Sequence, residues 1–393
     1  MPTINIPTDL IPSEAFLDRI PKVPHGKYAH IVMLRETESF PLFQTDGSLN
    51  TARVRAGLQQ AQNIRRIIMF KRKQVAPERL IGRELLRRYG VTQADNARTA
   101  QPPYCEYNEQ HCQQCPDCVY YGFAIGESGS EKSKVYTDSA FSITGYDESH
   151  RQFSFNALFE KGNMSQEGQM QTAFGEQDHV LPQIFFPSVV TIKDVTPHSF
   201  VYVLNNLLRA KRYGATGTRT GKMENHLVGV IFADGEIFSN LKLTQKVYDL
   251  LSENKQEETN PAKEADATSD QPGENDERKP IENIPLNVDH VLAAMSNALQ
   301  PLLAEDGVQV ACCLTGEQLS KLTKHITEIT TDSVKLNNFL QEAAAQAKDY
   351  YTRVIARPAG TSRGSRSGSA GKETKAADVS APEVGSEANG EQP

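Results

Sequence analysis

The chain has 393 residues, 42 Lys and Arg against 49 Asp and Glu, and a formal charge of −7. That length suits two domains or one elaborated domain. No apolar run reaches the roughly 18 residues of a membrane helix, and the N-terminus has prolines and acids where a secretory signal has bases and an apolar run, so a cytoplasmic, membrane-free setting is expected.

The acidic balance is local. Residues 252–286 hold ten acids and four bases, and residues 358–393 hold five and four, which leaves 34 of each sign elsewhere. Both segments are rich in Pro, Gly, Ser, Asn and Gln and poor in aromatics. A disordered acidic linker is therefore expected over 252–287 and a disordered tail over 358–393. The remaining chain is neutral overall, which leaves room for a nucleic-acid surface.

Residues 1–26 carry Pro7, Pro12, Pro21 and Pro24 and are expected to form an extended arm. Lys27–Arg35 reads as a strand, Glu36–Thr51 as a loop, Ala52–Asn63 as a helix and Ile64–Phe70 as a strand. Pro77 is expected to open a helix that stops at Gly90. From Arg53 to Arg88 eleven bases stand against two acids. The run includes Arg53, Arg55, Arg65, Arg66 and Lys71. A solvated helix face is the plain explanation, but the run covers a helix, a strand and a second helix, which favours a polyanion partner.

Four of the six cysteines, Cys105, Cys112, Cys115 and Cys118, fall in QPPYCEYNEQHCQQCPDCVYYG. The spacing C-x6-C-x2-C-x2-C lets four thiolates converge on one tetrahedral ion, so a structural zinc is expected. His111 could replace one ligand. Unliganded loop cysteines and an iron–sulfur cluster are the alternatives.

Lys134–Thr144 reads as a strand. Gly145–His179 is polar, studded with Phe153, Phe155, Phe159, Met164, Met170 and Phe174, and reads as a projecting hairpin or loop. Its apolar side chains either wedge into a partner or pack onto the body. Leu181–Val195 is a strand interrupted by Pro187. Thr196 and Pro197 start a helix running to about Lys211. Asn205–Val230 then carries Arg209, Lys211, Arg212, Arg219 and Lys222 around Gly214, Gly217 and Gly221. A cationic glycine loop between a helix and a strand suits a phosphate backbone. His226–Ala233 is a strand and Leu241–Leu251 a short helix.

Stripped of insertions, the order is β-α-β, β-α-β. That is the split βαβ, ferredoxin-like arrangement of RNA-recognition domains, an α+β fold. The aromatic motifs of base stacking on the sheet are missing. Val288–Ala304 is a helix. A second is expected from Thr315, with Thr315 and Gln318 as a capping box and a seam from Leu319 to Val354 that needs the body, the preceding helix or another subunit as partner.

The run FPSVVTIKDVTPHSFVYVLNNLLRAKRYGATGTRTGKMENHLVGVIF, with the upstream four-cysteine insertion and the basic N-terminal region, resembles the Cascade backbone subunit of type I-D CRISPR systems. That is a member of the Cas-seven branch of the RAMP superfamily, and the resemblance covers roughly residues 20–250. It implies an RRM-like palm over 27–251, a zinc-binding insertion at about 95–130 and a thumb at about 145–180 bearing Phe153, Phe155, Met164, Met170 and Phe174. C-terminal helices are expected over 288–357, ahead of the tail. It also implies that copies stack head to tail along one CRISPR RNA, gripped by Arg53, Arg55, Arg65, Arg66, Lys71, Arg209, Lys211, Arg212, Arg219, Lys222, Asn225 and His226. The guide would pair with target DNA inside a ribonucleoprotein of antiviral defence, alongside other Cascade subunits and without catalysis by this chain. Two rivals stand beside it. One is a ruler-type nuclease using Glu36, Glu38 or Asp46, although Asp46-Gly47 is also ordinary turn chemistry. The other is a generic zinc-containing RNA-binding or ribosome-associated protein.

Overall fold

The computed structural model of the chain describes residues 4, 6–45, 47–95, 101–125, 130–156, 165–166, 169–170, 174–215, 219–258, 281 and 284–356. At 155–156, 165–166, 169–170, 174 and 253–258 it describes the backbone alone. The expected tail, most of the expected linker, Asp46, Phe159, Met164 and Gly217 lie outside the described residues.

The first elements are β1 (Tyr28–Thr37), β2 (Thr51–Arg55), β3 (Asn63–Met69), α1 (Lys71–Arg88), α2 (Pro116–Tyr121), β4 (Phe123–Ala124), β5 (Ser130–Glu131), β6 (Val135–Thr137) and β7 (Ala140–Phe141). Then come α3 (Tyr146–Ser149), β8 (His150–Asn156), β9 (Ser165–Gln166), β10 (Gln169–Met170), β11 (Phe174–Val180), β12 (Phe185–Lys193) and α4 (Pro197–Arg209). The chain continues through β13 (Arg212–Gly214), β14 (Thr220–Ala233), α5 (Asn240–Glu258), α6 (Val288–Asp306), β15 (Val310–Leu314), α7 (Gly316–Thr331) and α8 (Ser333–Tyr350). The fold is thus mixed helix and sheet.

The central sheet runs β14-β1-β12-β6, with β13 and β15 also paired to β14. Each neighbouring pair is antiparallel. Successive side chains of a strand point to opposite faces. In β1, Ile31 and Met33 accordingly join a core with Phe200 and Leu204 of α4, Leu322 of α7 and Phe339 of α8. Val32 and Leu34 join another with Leu243 and Val247 of α5 and Met295 and Leu299 of α6. With helices on both faces, β1 reads as a continuous apolar run. Pro187 lies opposite Leu34, outside the reach of β6, which pairs only with Val190–Ile192. β12 is an edge strand there, where proline is tolerated.

Several expectations need correction. Residues 52–63 form no helix. They belong to the hairpin of β2 and β3, in which Arg53 faces Arg65. Its turn is fixed from outside: the Asp249 carboxylate of α5 accepts the N–H groups of Leu58 and Gln59 at 2.8 and 3.0 Å. Tertiary contact here overrides local propensity. α1 starts at Lys71, and Pro77 lies inside it. The expected strand 134–144 divides between β6 in the central sheet and β7 on β3. α5 runs to Glu258, past the expected start of the linker. The long C-terminal helix is two helices. Asp332 ends the first and caps the second by accepting from Val334 N and Lys335 N. Thr315 makes no side-chain cap bond.

Two open expectations find internal answers. The seam from Leu319 to Tyr350 packs into the first core. The N-terminal arm is docked: Ile4, Ile6, Ile11, Phe16 and Ile20 are buried in that same core, and Leu17 N donates to Val195 O at 2.8 Å.

His30 is buried in β1, with Nδ1 2.8 Å from Thr191 Oγ1 and Nε2 3.0 Å from Gly235 O. Burial pushes its pKa down from 6.5 to about 4. Between those pH values the unfolded chain takes up a proton that the native site refuses. Stability should be full above this window and fall by about 3 kcal/mol as pH drops through it. Urea unfolding at stepped pH should show that slope, and His30→Gln should flatten it.

Candidate nucleic-acid interface and metal centre

The cationic glycine loop is a β-hairpin. β14 begins at Thr220, well before His226, and pairs with β13 so that Arg212 faces Lys222 and Tyr213 faces Gly221. Gly221 is required by packing, because a Cβ there would lie 2.3 Å from Pro41 N. Tyr213 points inward and is buried. Its hydroxyl accepts from Arg35 Nη1 at 3.0 Å and lies 3.3 Å from Glu78 Oε1.

The outward cations differ in what they touch. Lys211 pairs with Glu224, Lys222 lies 3.4 Å from Glu38 Oε2, and His226 Nε2 lies 2.8 Å from Glu36 Oε2. Arg209 donates to Asn205 Oδ1 and to the Thr330 carbonyl. Arg212 and Arg219 are exposed and have no protein partner among the described residues. Asn225 is buried, with Nδ2 donating to the carbonyls of Leu207 and Ala210. It is a framework residue, which corrects its place among the RNA contacts.

The upstream basic run divides the same way. Arg53, Arg55 and Arg65 on the β2–β3 hairpin and Lys71 at the start of α1 are exposed. Arg66 is fully buried. Its guanidinium donates to the carbonyls of Ser142, Ile143 and Ala56 and lies over the Tyr248 ring. It stitches β3 to β7 and α5 and does not face solvent. Arg79 and Arg83 are buried too. A third core containing Ile67 and Met69 of β3 with Tyr213 and Met223 of the other hairpin joins the two basic segments.

The four cysteine sulfurs lie within 4.8 Å of one another. Cys105 Sγ is 3.9 Å from Cys115 Sγ and 3.6 Å from Cys118 Sγ. Hydrogen bonds from the neighbouring thiols, Cys112 first, and the nearby Arg83 guanidinium hold the Cys105 thiol well below its usual range. Donation to the Cys105 sulfur, together with burial, pushes the Cys115 thiol up. One thiolate thus suppresses the next, a conflict that a divalent cation would remove. Arg83 Nη2 donates to Cys105 Sγ at 3.3 Å, and Cys112 N does so at 3.4 Å. Donors of this kind orient and tune metal-bound sulfur. The donor set therefore fits a thiophilic ion with four protein ligands. His111 Nδ1 lies 3.8 Å from Cys118 Sγ, as a neighbour of the set. Asp117, which sequence reasoning missed, accepts from both Arg79 and Arg83 of α1 at 2.6–3.1 Å. Its place between the last two cysteines was the available signal.

The Gly145–His179 segment contains the antiparallel pair β8–β11. Phe153 is half-buried and meets Phe40 edge-on, with ring centroids 5.1 Å apart. Phe155, Met170 and Phe174 have strand backbone.

These features define a mixed α/β protein with covered sheet faces, a four-cysteine centre and two arginine-bearing hairpins. Residues 15–272 match the family model described as Csc2 Crispr, and the chain belongs to that family. The crystal structure of Thermofilum pendens Csc2 is similar in fold, with a TM-score of 0.50 at 14% identity over 87% of this chain and 95% of that one. A chain of a CRISPR RNA-guided surveillance complex aligns at 12% identity over 54% of this chain and 70% of its own, with a TM-score of 0.32. A chain of a Type IV-B CRISPR complex aligns at 11% identity over 51% and 90%, with a TM-score of 0.33. No curated protein is similar in sequence. No described helix is long and apolar enough to cross a membrane.

The metal centre is open to direct assay. Metal analysis of the purified chain should return about one divalent ion per molecule, as four thiolate ligands imply. Cys118→Ser should lose most of it. A metal-free protein whose melting temperature ignores chelators would refute the centre.

Proposed function

We propose that the chain is a backbone subunit of a type I-D Cascade complex, gripping CRISPR RNA and presenting it for pairing with target DNA. The observation that carries this is the pair Arg212 and Arg219, exposed and unpartnered among the described residues on a hairpin whose inward residue is locked. Guanidinium groups so placed suit phosphate oxygens. Arg53 and Arg55 extend the same chemistry from the other hairpin. Membership of the Csc2 family supports the CRISPR setting.

On this reading the order β14-β1-β12-β6 is a ferredoxin-like palm, and β8–β11 is the stem of a thumb. Helices cover both sheet faces, so the guide is held by hairpins at the sheet margin and not stacked across the sheet. Zinc at Cys105, Cys112, Cys115 and Cys118 has a structural role, fixing an insertion too small for its own core. Several copies stack along one cytoplasmic guide, with other Cascade subunits at its ends.

The chain acts without catalysis. Two of the acids offered by the nuclease rival, Glu36 and Glu38, are engaged with His226 and Lys222. Single-turnover assays with divalent metal should show no regularly spaced cuts, and Asp46→Ala should change nothing.

Affinity for single-stranded RNA, measured across salt concentrations, tests the grip. Replacing both Arg212 and Arg219 with Ala should weaken binding alike for all sequences and reduce the log–log salt slope by about 1.4. Unchanged affinity and slope would remove the hairpin from the interface.

A further inference from the structure

The most exposed aromatic side chain among the described residues stands beside the arginine hairpin. Phe40, between β1 and β2, is 42% exposed. A single exposed apolar side chain is ordinary on a protein surface, but this one is held where it is. Leu42 and Phe43 are fully buried in the core that also contains Tyr213 and Met223 of the hairpin. Toward the hairpin, Glu38 N donates to Lys222 O at 2.9 Å, and a Cβ on Gly221 would lie 2.3 Å from Pro41 N. Toward β11, Val180 N donates to Pro41 O at 3.1 Å, and His179 Nδ1 lies 3.1 Å from Phe40 O. The segment bridges the arginine hairpin and the β8–β11 pair, with Phe40 at its middle.

Both elements that the segment bridges carry exposed arginines. Arg212 and Arg219 are on the hairpin. Arg151 of β8 lies 5.9 Å from the ring centroid of Phe153, the ring that Phe40 meets edge-on. The acid of this segment, Glu38, is already engaged with Lys222. An aromatic side chain set between cations is how single strands of nucleic acid are held without regard to sequence. The cations take phosphates, and the ring takes the π-face that every base has. An apolar protein partner would have to desolvate these guanidinium groups without pairing them.

We propose that Phe40 is a stacking contact for one base of the bound RNA, blind to which base that is. This rests on the RNA-binding reading above and adds to the phosphate grip a contact that carries no charge. Its contribution is therefore independent of salt, whereas that of Arg212 and Arg219 is not.

The test uses the full chain with oligoadenosine, oligocytidine and oligouridine of one length, and with an abasic sugar-phosphate strand of that length. The chain contains no tryptophan, so Phe40→Trp installs a single indole whose fluorescence a stacked base quenches. At saturation each RNA should quench it and the abasic strand should not. Phe40→Ala should weaken binding of each RNA by about tenfold, the size of one base–aromatic stack. Its log–log salt slope should match that of wild type, because no phosphate contact is lost. Phe40→Tyr, which keeps the ring, should bind as wild type does. Equal quenching by the abasic strand would overturn the base contact in favour of a neighbouring copy assembling against the ring. A loss confined to one RNA, or one accompanied by a lower salt slope, would also overturn the proposal. Wild-type affinity in Phe40→Ala would overturn the stack and leave the phosphate grip standing. No salt-dependent RNA binding by wild type would overturn the stack and the grip together.

Discussion

A single buried guanidinium sets the phase of the structure. Arg35, in the central strand β1, reaches Glu78 of α1 at 2.8 Å, Ser188 of β12 and Tyr213 of β13 at 3.0 Å, and Asn225 of β14 at 3.2 Å. Both members of the ion pair are almost completely buried. Burial lifts the Glu78 carboxyl above the usual carboxylate range, and Arg35 offsets only part of that. Stranding one charge of such a pair costs about 3–5 kcal/mol, while an apolar replacement of the whole set is often neutral. The network therefore matters more for register than for net stability. With Tyr213 and Asn225 drawn inward, the two-residue period of a strand sends Arg212 and Lys222 outward. The candidate interface follows from the packing behind it.

The same device recurs further along α1. Arg79 and Arg83 close on Asp117, while Gly82 lets α4 approach so nearly that a Cβ would meet Asn206 Nδ2 at 2.4 Å. One helix thus ties the sheet and the cysteine insertion together through charged groups and seats α4 against a glycine. The C-terminal helices lie over this junction. Gln346 Oε1 accepts from Tyr120 at 3.2 Å and from Thr196 at 2.9 Å, and the Tyr350 hydroxyl donates to Glu131 at 2.9 Å. The insertion is held by its neighbours as well as by its thiols, so metal loss should loosen it locally before the body unfolds.

Apolar periodicity and cap chemistry made much of this legible in the sequence. The run in β1, the Thr196 cap and the spaced cysteines each follow from local residue order. The direction of a charge does not. Arg53 and Arg66 stand in the same basic run, yet one faces solvent and the other bonds three carbonyls. Only the partner across space separates them, and for Arg66 those carbonyls lie just after β7, at Ser142 and Ile143, and in the β2–β3 turn, at Ala56. Thr51–Arg55 did carry a strand signal, with Arg53 and Arg55 alternating around Val54. The helix expectation missed it because the turn that follows is fixed by Asp249, nearly two hundred residues away. The break at Asp332 was hidden for a different reason. α7 and α8 present their apolar residues to one core, so the spacing runs on across the break.

Charge pairing at the hairpin bears on how such a subunit would hold RNA. Lys211, Lys222 and His226 are already matched by Glu224, Glu38 and Glu36. These acids keep the local field modest and leave the unpaired positive charge on arginines, whose planar forks are less strongly hydrated than an ammonium and bind phosphate in two places. The two arginines of this hairpin, unpartnered among the described residues, give only a modest, salt-sensitive hold by one hairpin alone. Copies stacked on one RNA would convert that weakness into avidity, because each added subunit binds at the effective concentration set by its neighbour. On the proposed function, a modest hold by each hairpin is what lets assembly, and not any single contact, decide whether the guide is held.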